Sequence, residues 1–222
     1  FYYAENGVTI KALEIAEVGM QDEFNGNTYT VLDKTQLKNM IDNGQDISYV
    51  VTSKITDMQG LFQMVGHDDE DYEYGDITHW DVSNVTNMID MFAGAKYFNQ
   101  DLSNWNVSNA THMTYLFGDT SFNHDISNWD VSNVEDMRLM FHVSPFNKPI
   151  GNWDVSKVDN MQGMFASNYS FNQDISNWDV SNVVNMKNMF LHATSFNQDL
   201  SNWDVSNVSD CDSFWNGSTS WE

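Results

Sequence analysis

The stretch FNQDISNWDVSNVVNMKNMF, Phe171 to Phe190, decides how the rest of the chain is read, because near-copies of it fill most of the sequence. Trp80, Trp105, Trp129, Trp153, Trp178 and Trp203 recur at intervals of 25, 24, 24, 25 and 25 residues, each inside such a copy. A degenerate copy precedes them, with Ile47, Val50, Thr52, Ile55, Met58, Leu61 and Phe62 in the same relative positions. About seven units therefore begin near residues 47, 77, 102, 126, 150, 175 and 200. A unit of this length cannot bury its own apolar face, so neighbouring units must stack to complete a core.

Within a unit the apolar period changes. Trp129 and Val131 alternate around an outward Asp130, as in a short strand. Val134, Met137, Met140 and Phe141 then follow a helical spacing, with Ser132 and Glu135 placed as a capping box and Ser156 with Asp159 as a weaker one. The pattern predicts an α/β solenoid of about seven strand-helix coils over 47–222. Ten of the 13 methionines fall in the helical columns, where flexible thioethers fill gaps, and Cys211 takes the same position as Met186, predicting a buried stand-in.

Residues 1–46 lie outside the repeat. Asn25-Gly26 between extended segments signals a hairpin. Asp33 and Gln36 form a capping box ahead of Leu37, Met40 and Ile41, and Gly44 stops that helix. An N-terminal α+β cap over the first coil is expected. An acidic insertion over 63–75, containing His67 to Tyr74, is expected to protrude as a loop. The segment Trp215 to Glu222 is short for a terminal cap, so further chain is expected beyond it, and Phe1, with no signal peptide, reads as the start of a mature fragment.

Composition narrows function. Hydrophobic residues make up 41% and aromatics 14%, enough for a folded core. Nine basic residues against 32 acidic give a formal charge of −23, which disfavours nucleic acid and anionic lipid and favours cations or basic partners. No apolar run approaches the ~20 residues of a membrane span, so no direct membrane insertion is expected. A single cysteine excludes an internal disulfide framework. The six histidines lack HExxH spacing, and no GxSxG, P-loop or GxGxxG occurs, so the chain is read as a non-enzyme.

The repeat FNQDISNWDVSNVxNMxxMF resembles that of the BspA-like leucine-rich-repeat surface proteins of bacteria, over roughly Ile47 to Phe214. The lead-in Asn6-Gly7-Val8-Thr9-Ile10-Lys11 is similar to segments that precede such repeats. The resemblance implies a leucine-rich-repeat-like solenoid, export to the bacterial cell surface, and adhesion or recognition of an extracellular glycan or protein. Lys148-Pro149, in place of Gln-Asp, departs from the repeat.

Two candidate sites follow from the residues. Asp130, Asp154, Asp179 and Asp204 share one repeat position with Asp81, interrupted by Asn106, and Asp101, Asp125, Asp174 and Asp199 share another. Stacked units would place equivalent carboxylates ~4.8 Å apart, a repulsion of roughly 0.8 kcal/mol per pair in water. Bridging calcium would offset it; alternatively each aspartate caps its own turn and stays solvated. The second candidate is a binding surface formed by Asn128, Asn152, Asn177 and Asn202 beside the tryptophans, together with Asp71, Tyr72 and Tyr74 of the acidic insertion. Uniform Ser-Asn-Asp positions suit a repetitive ligand such as a polysaccharide, although recent duplication produces the same uniformity. A structural spacer, stiffened by calcium and with no ligand of its own, is the competing reading.

Overall fold

The computed structural model describes residues 1–216. The N-terminal region holds two antiparallel hairpins and a helix. Strand β1 (Tyr2–Tyr3) pairs with β2 (Ile10–Lys11), and β3 (Gln21–Phe24) pairs with β4 (Asn27–Val31). The second hairpin turns at Asn25 and Gly26, with φ of 51° and 80°. Asn-Gly meets that left-handed requirement at little steric cost, as its sequence promised. Helix α1 (Lys34–Asp42) opens with the capping box of Asp33 and Gln36 and buries Leu37 and Ile41. Strand β4 continues in parallel onto β5 (Val50–Val51), joining the hairpin to the first repeat.

The repeats do not form the expected α/β leucine-rich-repeat-like solenoid of strand-helix coils. Among the described residues α1 is the only helix, and it lies before the repeats. The strands within or after them are short: β5, β6 (Phe190–Leu191) and β7 (Trp215–Asn216) have two residues each. Each repeat is a rung of consecutive turns, tied to the next by single parallel bridges running Asp57, Asn87, His112, Asp136, Asn160, Asn185 and Asp210.

Backbone bonding explains why the helical spacing misleads. In the fourth rung, Met137, Leu139, Phe141 and Val143 donate their amides to Asn160, Gln162, Met164 and Ala166 of the next rung at 2.9–3.0 Å. The intervening amides of Met140 and His142 close turns onto Met137 and Leu139. Leu139 and Val143 sit at φ of 55° and 48°, incompatible with the negative φ of a helix. Tyr115 and Asp119, then Gly163 and Ser167, repeat this left-handed pair in the flanking rungs. Tandem turns thus also bury side chains at i, i+3 and i+4. The supposed capping residues serve the ladder too: Glu135 donates its amide to Thr111 and Asp159 to Glu135.

The core runs the length of the stack. Phe92, Phe117, Phe141, Phe165 and Phe190 stack at 5.5–6.0 Å between centroids. A second column, Phe98, Phe122, Phe146, Phe171 and Phe196, lies 3.9–4.0 Å from the first. Trp105, Trp129, Trp153, Trp178 and Trp203 are buried, and each indole Nε1 donates to a carbonyl of the preceding rung at 3.0–3.2 Å. Cys211, expected to be buried, is exposed on the last described rung, because no described residue stacks beyond it. Residues 217–222 of the expected short C-terminal segment lie outside the described residues.

Two substitutions test this backbone. Val143→Gly relieves a β-branched residue of a left-handed φ, and chemical denaturation is expected to show stabilisation of about 0.5 kcal/mol or more. In a helix the same change would destabilise. Phe141→Ala removes a fully buried ring and is expected to cost about 3–5 kcal/mol in the same assay.

Candidate binding face

The side of each rung that carries the Asn-Trp-Asp-Val-Ser segment presents the sequence-derived candidates. Asn128, Asn152, Asn177 and Asn202 are exposed, as are Asp130, Asp154, Asp179 and Asp204, with the tryptophan between them turned into the core. The Asn128 and Asn152 amides donate to Ser103 and Ser127 carbonyls of the preceding rung, at 2.8 and 3.0 Å. These side chains therefore stitch rungs together. None of this stitching needs a ligand.

Each aspartate closes its own turn. Oδ1 accepts the amide of the serine two residues on: Ser132 for Asp130, Ser156 for Asp154, Ser181 for Asp179 and Ser206 for Asp204, at 3.0–3.1 Å. The Ser132 and Ser181 hydroxyls add bonds of 2.6 Å. Serine hydroxyl and amide bonds hold Asp154, Asp179 and Asp204 below the ordinary carboxylate range, although Asp154 and Asp204 push Asp179 the other way. Local donors thus outweigh the repulsion along the column. Among the described residues no three His, Cys, Asp or Glu side chains form a group that could hold a metal ion. Asp101, Asp125, Asp174 and Asp199 close equivalent turns on the other column.

The acidic insertion does not bring its tyrosines to this strip. Tyr74 is buried, its hydroxyl bonded to Val65 O at 2.9 Å, and burial pushes its pKa up to about 12. Tyr72 is half-buried edge-on to it, 4.9 Å between centroids, leaving Asp71 exposed beside them. The rings anchor the insertion, because the tight turn after Gly66 folds them back onto the core.

One participant was missed in the sequence. The β1–β2 hairpin lies along the strip over the first three rungs. Asn6 Nδ2 donates to Asn104 O at 3.1 Å, Ile10 N to His79 O at 2.9 Å, and Ala12 N to Ser53 Oγ at 3.1 Å. Lys11 Nζ lies 3.3 Å from an Asp81 oxygen and donates to Ser83 Oγ at 2.9 Å. Burial works to raise the Asp81 pKa, but bonds from Ser83 and Ser53 and the Lys11 charge hold it below the ordinary range. Two clefts flank the hairpin tip: one of about 310 Å³ lined by Asn6, Lys11, Asp81 and Asn106, and one of about 260 Å³ where Asn6 faces Asn106, Asn128 and Asp130. Lys11 is one of only nine basic residues, a scarcity that is the one sequence signal for its role.

A family model described as "Mycoplasma protein of unknown function, DUF285" matches residues 29–145 and 121–222. The chain belongs to this family. The two matched segments overlap within the repeats and together take in both α1 and every rung. No curated protein and no solved structure matches the chain. No helix among the described residues is long and apolar enough to cross a membrane.

The turn-closing carboxylates make stability pH-dependent. The folded pKa values of Asp101, Asp154, Asp179 and Asp204 lie below the unfolded value of about 3.9, so their contribution is present above that pH and is lost as pH falls through the folded values. Urea melts are expected to lose stability in two steps on acidification: below about pH 6.5, where burial holds His79 and His142 below the ordinary imidazole range, and again below about pH 4. A rise in stability on acidification would show that relief of the negative charge dominates instead.

Proposed function

We propose that the chain is a recognition module displayed on a bacterial cell surface, binding an extracellular glycan or protein along the polar strip of its rungs. The observation that carries this reading is the fourfold recurrence of one exposed set, Asn128-Asp130, Asn152-Asp154, Asn177-Asp179 and Asn202-Asp204, in consecutive rungs locked in register. A rigid row of identical polar groups suits a ligand with its own repeat or an extended conformation. The motif's resemblance to BspA-like surface repeats supports display outside the cell. The clefts along the strip are open and shared between rungs, which favours binding over catalysis.

A spacer with no ligand of its own is the second reading, favoured by the continuous inter-rung bonding that stiffens the stack. An array of glycans and extracellular-matrix proteins, probed with the purified chain in millimolar calcium and in chelator, separates the two. The recognition reading predicts saturable binding that Asn177→Ala together with Asp179→Ala weakens at least about fivefold. Absence of binding in both buffers, with a calcium-dependent melting temperature, would support the spacer.

A further inference from the structure

The chain contains an occupied example of its own polar strip. Two repeat positions receive the N-terminal hairpin. The first is the carbonyl of the residue before each tryptophan: His79 O takes the Ile10 amide and Asn104 O takes the Asn6 side chain. The second is the aspartate–serine pair after the tryptophan, where Asp81 and Ser83 hold the Lys11 ammonium. Extended backbone and one lysine thus satisfy a strip otherwise built from acceptors.

Both positions continue beyond the hairpin. The carbonyls of Asn128, Asn152, Asn177 and Asn202 are the counterparts of His79 O and Asn104 O, and no hydrogen bond among the described residues ends on them. The Asp–Ser pair is also reproduced in detail. The serine hydroxyl lies 2.6 Å from the carboxylate in Asp81–Ser83, where Lys11 is bound, and again in Asp130–Ser132 and Asp179–Ser181. Asp81 is buried beneath the hairpin, whereas Asp130 and Asp179 are exposed.

We propose that the open rungs bind an extended, lysine-bearing segment of a partner protein, seated as Ile10-Lys11-Ala12 is seated on the first rungs. This rests on the recognition reading above and names its ligand class. Backbone amides would bond the exposed carbonyls, and a lysine ammonium would lie on Asp130–Ser132 or Asp179–Ser181. The three rung steps from Asp130 to Asp204 span ~14 Å, the length of about four extended residues. The chain's charge of −23 adds long-range attraction for such a segment.

The test is an NMR titration of the ¹⁵N-labelled chain with a synthetic peptide of its residues 6–12. The expected result is saturable shifts of the Ser132 and Ser181 amides. A peptide with Lys11→Ala should bind about three- to tenfold more weakly. Asp130→Asn with Asp179→Asn in the protein should weaken the intact peptide similarly. Asparagine keeps the turn, since Asn106 already accepts the Ser108 amide at 3.1 Å in this column. Asp174→Asn with Asp199→Asn, the same charge change on the other column, should leave binding intact. The proposal is overturned if no shifts occur, if the lysine-free peptide binds as well, or if both double variants lose binding equally. Glycan binding on the array together with any of those outcomes would leave the recognition reading standing and remove only the peptide ligand.

Discussion

The structure depends on how alternate amides are spent within each rung. One amide reaches the next rung and its neighbour closes a turn on its own, so the segment from Met137 to Val143 and its counterparts bonds its amides without helix or continuous strand. Such a pattern forces a left-handed residue into each pair of turns, and that cost is borne by side chains as unsuited as Leu139 and Val143. What sustains it is the core. Two stacked phenylalanine columns, the methionines and the buried tryptophans fix the separation of the rungs at the distance the amides need.

The proposed function grows from the same regularity. Once the tryptophan points inward, the residues on either side must point outward, and the register of the ladder repeats them in a straight row. Serine at the second position after each aspartate donates its amide to the carboxylate, and these bonds offset the repulsion of stacked like charges. The N-terminal hairpin covers the first rungs of this row, and among the described residues Asp130, Asp154, Asp179 and Asp204 lie exposed beyond it. That asymmetry, more than the repeat itself, underlies the proposed recognition.

Much of this was legible in the residues. The tryptophan interval set the repeat register, Asn25-Gly26 and Asp33 with Gln36 located the cap elements, and the apolar columns named the core. The helix in each repeat was misread because tandem turns and a helix bury the same i, i+3 and i+4 positions. Glycine at position 163 marks a left-handed site, but its counterparts Tyr115, Leu139 and Asn188 carry no common signal. The candidate asparagines were found on the exposed strip, while Tyr72 and Tyr74 turned inward because the insertion folds onto the stack. Docking of Lys11 on Asp81 joins residues 70 apart in sequence, and no local pattern announces it.

Backbone chemical shifts and amide exchange across Met137 to Val143 test the tandem-turn ladder most directly. The ladder predicts left-handed φ at Leu139 and Val143, with slow exchange at Met137, Leu139, Phe141 and Val143. Uniformly helical shifts through the segment, with negative φ at Leu139 and Val143, would contradict it.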